Sequence, residues 1–159
     1  IQTEDIDAFI SNEKHAGKMV GSMSAPSVCQ EALSAYNGDF NLFIQDEGDS
    51  ERKRMNYTSA LISPEGGNYY FEGFKDIYND RVVDAWKDTT TLFITLYEGD
   101  SPAGNIVGKG KLVIKVSDLL KQLRTVKAIH PKSKEEGRKA IGSFGKFFAG
   151  NVFETYFKP

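Results

Sequence analysis

One cysteine, two histidines and one tryptophan are all that this chain of 159 residues has of those types. A single Cys29 excludes an internal disulfide framework. His15 and His130 stand far apart, and neither has a metal-ligand spacing with Cys29. A zinc site needs three or four such ligands, so no metal is expected, and Cys29 reads as a small apolar group. The charge balance lacks a surplus of either sign. A net charge of −2 and a pI near 5.7 supply none of the basic field on which nucleic-acid binding relies. No apolar run approaches the ~20 residues of a membrane-spanning helix. A Walker loop is absent. Gly104, Gly108 and Gly110 come nearest to a dinucleotide fingerprint, but position 113 is Val and the segment continues as strand. The acidic loop 46–51 lacks the ligand order of an EF-hand and reads as a solvated hairpin tip. No acid–base pair suggests free-standing catalysis.

What the chain does have is β patterning. Its length fits one domain and buries enough surface to fold without staples. Residues 1–14, with Ile6, Phe9 and Ile10 on one side of an acidic stretch, read as a linker or short helix, and residues 15–159 as a single β-rich domain. The acidic start without an initiator Met, and the stop at Lys158-Pro159, read as those of a fragment from a longer protein. Met19, Gly21 and Met23 alternate with Val20, Ser22 and Ser24 up to Pro26. Phe40, Leu42 and Ile44 alternate with Asn41, Phe43 and Gln45, and Met55, Tyr57, Ser59 and Leu61 with Arg54, Asn56, Thr58 and Ala60. Pro64-Glu-Gly-Gly67 between two such runs is a hairpin signal. Residues 90–97 are β-branched on both faces, as in a central strand. After the turn at 99–104, Lys109 and Lys111 point one way and Leu112 and Ile114 the other, the pattern of a half-buried strand.

The period then lengthens to that of a helix. Ser117 is placed to cap a helix carrying Leu119, Leu120, Leu123 and Val126, and Ser133-Lys-Glu-Glu136 fits a capping box opening a second. Ile141, Phe144 and Phe148 form a stripe on the second helix, with Phe147 beside it. Gly137, Gly142, Gly145 and Gly150 interrupt that helix, which points to close approach to a sheet or to a break. The stripe is expected to pack on the sheet rather than lie on a membrane. The fold class predicted is mainly β, or α+β: an antiparallel curved sheet or barrel-like β domain with two C-terminal helices packed on it.

Residues 68–98 hold most of the tyrosines and the only tryptophan. Tyr70, Phe74 and Tyr78 read as core, or as the lining of a cavity for an apolar ligand. Asp76, Asp80, Asp84 and Asp88 recur every four residues, and Asp80, Asp84 and Asp88 read as turn and cap residues.

Tyr70-Phe-Glu-Gly-Phe-Lys75, Trp86-Lys-Asp-Thr-Thr-Thr-Leu-Phe-Ile-Thr95, Glu98-Gly99, Gly108-Lys-Gly110 and Phe144-Gly-Lys-Phe-Phe-Ala-Gly150 also carry a resemblance. Together with Gly38-Asp-Phe-Asn-Leu-Phe43 and Phe153-Glu-Thr-Tyr156, they resemble the non-flavin portion of large bacterial flavoproteins of the glucose-methanol-choline (GMC) oxidoreductase family, of the cholesterol-oxidase-like kind. The resemblance spans residues 16–157. It implies a parent protein that binds FAD and oxidises an alcohol, a sterol or another apolar one. The flavin-binding glycines and catalytic His of that family have no matching position here, so no catalytic, cofactor-binding or metal residue is carried over. The implied role is a non-catalytic accessory domain that supports the flavin domain of the same parent chain, or its assembly. The alternative is a ligand-binding barrel that captures an apolar alcohol or sterol for the parent enzyme. Tyr70, Phe74, Trp86 and Phe147 are the candidate contacts to such a ligand or interface.

Overall fold

The computed structural model describes residues 1–46, 48–49, 52–78 and 90–157. Helix α1 (Ile6–Ser11) precedes six strands: β1 (Ala16–Ala25), β2 (Cys29–Gln45), β3 (Arg52–Ile62), β4 (Asn68–Tyr78), β5 (Thr91–Glu98) and β6 (Ile106–Val113). Helices α2 (Val116–Leu123) and α3 (Lys134–Phe157) follow. The strands form one antiparallel sheet in sequence order, each paired with its neighbours in the chain. The sheet is curved but does not close, because β1 pairs with β2 and β6 with β5 at opposite edges. Of the two architectures the sequence suggested, the open curved sheet is the one formed.

The curvature follows from where the apolar side chains must go. In a flat sheet β2 and β6, four spacings apart, would be separated by about 19 Å. Instead Val28, in the turn between β1 and β2, reaches the inner side of β6: a Cβ placed on Gly108 would lie 3.4 Å from a Val28 methyl. The curl closes Leu33, Leu61, Phe71 and Leu96 into one buried cluster, with Met23, Val28 and half-buried Cys29 packed against it. A second cluster, Phe9, Phe40, Leu42, Phe43, Met55 and Ile77, lies under the helices.

The second cluster depends on a β-bulge. Strict alternation would turn Phe43 away from Leu42, yet both are buried. The β2–β3 register shifts between Asn41 and Ile44, and Phe43 adopts φ 53°. An extra residue of this kind breaks the two-residue period locally, so two consecutive side chains enter the core. Phe43 then meets Phe147 and Phe148 of α3, with ring centroids 6.2 and 5.6 Å apart. Phe147 also meets Phe9 edge-on at 6.0 Å and His15 at 4.7 Å. Lys53 Nζ donates to Asn151 Oδ1 at 2.8 Å, tying the helix to β3. Phe144, Phe147 and Phe148 thus pack as expected, with Phe147 as their hub, whereas Ile141 of the expected stripe is 42% exposed.

Local signals explain the boundaries. Asp5 Oδ1 accepts from Asp7 N and Ala8 N to start α1, so the N-terminal segment is a capped helix that contributes Phe9 to the core. Ser133 Oγ accepts from Glu136 N at 3.1 Å, and Glu136 Oε2 accepts from Lys132 N at 2.6 Å, which is the anticipated capping box shifted by one donor. Helix α2 stops at Leu123, short of Val126. Helix α3 runs unbroken, and a Cβ on Gly142, Gly145 or Gly150 would meet nothing among the described residues. Those glycines therefore serve neither a break nor close approach to the sheet; the aromatic stripe makes the contact. The turn after β5 does require glycine: Gly99 has φ 89°, and a Cβ on Gly104 would collide with the Glu98 carbonyl oxygen.

β6 departs from its expected half-burial. Leu112 faces inward with Leu92, yet it is 54% exposed. Val28 reaches β6 only at Gly108; over Gly110 nothing among the described residues lies within contact, so this edge strand has the alternation without the burial.

Since Phe147 joins α1, β2 and α3, Phe147→Ala is expected to lower unfolding free energy by about 3 kcal/mol, the low end for a truncated core phenylalanine because the ring is half-buried. Urea denaturation measures it; a loss below about 1 kcal/mol would contradict the hub role.

Candidate functional site

The outer face of the sheet carries rows of residues fixed by strand register. One row is Tyr36, Ala60, Tyr70, Tyr97 and Ile106; the next is Asp39, Thr58, Glu72, Thr95 and Lys109; a third is Asn41, Asn56, Phe74, Phe93 and Lys111. Aromatic rows therefore alternate with a polar row, roughly 13 Å apart at four residues per step. Phe74 and Phe93 stack at 5.5 Å with planes inclined by 26°, and remain 36% and 44% exposed. Tyr70 and Tyr97 approach to 6.5 Å.

This face is braced. Asp76 accepts from Arg52 Nη2 at 2.8 Å and Nε at 3.2 Å, and from Arg54 Nε at 2.6 Å. The guanidinium of Arg54, so held, lies 4.8 Å from the centroid of Phe74, a cation–π contact that fixes the ring in place. Arg52 also pairs with Asp46 at 3.5 Å, and Asp46 Oδ1 accepts from Gly48 N. Asp46 and Arg52, which flank the acidic loop, are thus charge-paired. Tyr97 donates to Glu72 Oε2 at 2.8 Å, and that hydrogen bond raises its pKa above the ordinary tyrosine value.

The inner face holds the unexpected residue. On β4, Phe71, Gly73, Lys75 and Ile77 point inward, and Lys75 is 6% exposed. Its ammonium lies 5.8 Å from the centroid of the Tyr57 ring. Tyr57 donates to Met55 Sδ at 3.7 Å, and burial raises its pKa. Among the described residues no acceptor or carboxylate pairs with Lys75, and no side-chain nitrogen that lacks a partner is sealed from solvent. The tip of the amine therefore reaches an opening. Burial lowers the Lys75 pKa, because a low-dielectric setting disfavours the charged form.

Continuing the register Phe74↔Phe93 sets Leu92 beside Lys75, and Leu92 in turn faces Leu112, as Ile94 faces Gly110. A Cβ on Gly110 would meet nothing among the described residues. Leu92 and Ile94, partly buried against the Phe71–Leu96 cluster, continue into exposed Leu112 and the bare backbone of Gly110 as an apolar trough on the inner face, with Lys75 beside Leu92 in register.

Of the residues singled out from the sequence, Tyr70 and Phe74 lie on the outer face, turned away from both core clusters. Phe147 is in the helix-to-sheet packing, and Trp86 lies outside the described residues, as do Asp80, Asp84 and Asp88. Among the described candidates, Phe147 is not brought together with Tyr70 and Phe74. His15 Nδ1 lies 2.7 Å from the Leu42 carbonyl oxygen, and His130 is exposed. Among the described residues no three His, Cys, Asp or Glu side chains form a metal-holding group. A cleft of about 270 Å³ beside α1 includes Glu4 and Asp5, but Asp5 is engaged in capping. Lys75 escaped the sequence reading although it had a signal there: it is the charge on the apolar phase of a strand.

A lysine that holds its proton less firmly when folded takes up a proton on unfolding, so its contribution to stability rises with pH from its folded pKa to the ordinary 10.5. Below that window the buried charge is a cost in the folded state. Lys75→Met is therefore expected to be more stable than the parent at pH 7 by about 1–3 kcal/mol, the usual scale for relieving a buried polar group. Urea denaturation from pH 7 upward should show the gap narrowing toward pH 10.5. A gap independent of pH would contradict the assignment.

No family model, curated protein or solved structure matches this chain.

Proposed function

We propose that the chain is a non-catalytic accessory domain of a cholesterol-oxidase-like, FAD-dependent GMC oxidoreductase, and that its outer sheet face docks on the flavin domain of the same parent. The sequence resemblance supplies the family. The observation that carries the docking role is the exposed Phe74–Phe93 stack, held by the Arg54–Asp76 bridge. Aromatic side chains immobilised before binding lose little entropy on association and bury large area. Lys109 and Lys111 flank them, which matches an interface with an aromatic centre and a polar rim. FAD and the chemistry belong to the partner domain in this reading.

A second reading, capture of an apolar alcohol or sterol for the parent enzyme, draws on a different observation, the trough at Leu92, Ile94, Gly110 and Leu112.

The docking role is tested by hydroxyl-radical footprinting of the full-length protein and of this domain alone. Phe74, Phe93, Tyr70 and Tyr97 should be labelled several-fold less in the full-length protein. Replacing both Phe74 and Phe93 by Ser should weaken association with the flavin domain by about 2 kcal/mol or more, roughly thirtyfold. Equal labelling in the two samples would rule the docking role out.

A further inference from the structure

We propose that the inner-face trough binds a long-chain carboxylate, an amphiphile of the fatty-acid class, with the Lys75 ammonium on its headgroup and Leu92, Ile94 and Leu112 along its chain. The proposal rests on the second reading above, that the trough takes an apolar ligand, and narrows that ligand from a neutral molecule to an anionic one.

Three observations select this class. The first is the unpaired cation: Lys75 is 6% exposed, and no described carboxylate or acceptor satisfies it. A buried charge without a counter-ion is destabilising, and supplying the missing partner converts that cost into binding. A neutral sterol or alcohol would dehydrate the amine without neutralising it.

The second is the number of charges. Among the described residues the other inward lysine near this end of the sheet, Lys53, is bonded to Asn151. Lys75 therefore acts as one point charge, suited to a monoanion; a phosphate headgroup would leave charge uncompensated. A carboxylate accepting from an ammonium forms a charge-assisted hydrogen bond.

The third is the lining. Beyond Lys75 the inner face is apolar across β5 and β6, and Gly110 removes the side chain that would otherwise fill the space. Leu112, at 54% exposure, offers apolar surface that a hydrocarbon chain would cover. A short carboxylate would satisfy Lys75 but leave this surface wet. Binding sites of this kind are mostly apolar with a few placed polar groups.

The experiment is a fluorescence titration of the protein with cis-parinaric acid and with its methyl ester, repeated on Lys75→Met and Gly110→Phe after a thermal melt confirms that each variant is folded. The acid should bind the parent about tenfold tighter than the ester, a ratio within reach of one charge-assisted hydrogen bond. Lys75→Met should bind acid and ester alike, and Gly110→Phe, which fills the trough, should bind neither. Equal binding of acid and ester to the parent would overturn the proposal while leaving the trough as a site for neutral apolar ligands. Binding of neither probe would overturn both. A preference for the acid retained in Lys75→Met, or displacement of the probe by acetate as readily as by a long-chain acid, would also overturn it.

Discussion

Everything in this domain depends on how a six-stranded open sheet covers its inner face. A closed barrel covers itself; a sheet with two edges must bend and borrow. This one bends until Val28 meets Gly108, which seals the end formed by Leu33, Leu61, Phe71 and Leu96. It borrows α1 and α3 to seal the Phe9–Phe43–Ile77 end. On β6, beyond these two seals, Leu112 stays wet, and there the sheet offers its trough. The stable core and the candidate ligand surface are thus two results of one bend.

The two faces solve different problems with similar residues. Outside, Phe74 and Phe93 are kept exposed and rigid by a bridge in which one carboxylate, Asp76, holds two guanidinium groups. Inside, Lys75 has no such carboxylate among the described residues. A strand that pairs its charges on one side and leaves a charge unpaired on the other is asymmetric in an informative way. Paired charges fix geometry, whereas an unpaired buried one creates a demand for an anion.

Much of the fold was legible in the sequence because it obeys single-residue periods. The alternation in β3, the Gly66 hairpin and the Ser133 capping box all translate directly into structure. What escaped depended on contacts remote in the chain. The period of β2 fails at Phe43, where a bulge turns two neighbours inward for the sake of α3, more than a hundred residues on. β6 has a half-buried pattern but lies at an edge, and pattern alone carries no information about whether anything lies above it. Tyr70 and Phe74 read as core or cavity lining because aromatic residues usually go inside; the register shared with the charged Arg54 and Asp76 places them outside. Lys75 was passed over in the same run.

The order of the strands also bears on how the chain is made. Every strand pairs with its neighbour in sequence, so the sheet assembles from hairpins whose loop-closure cost is low. The helix that seals the lower core comes last: Lys53 meets Asn151 across 98 residues. During synthesis the meander is complete while Phe40, Leu42 and Phe43 still face water, awaiting Phe147. The interval between those two events is when this chain is most exposed to aggregation, and the length of the segment 114–147, with α2 in it, sets its duration.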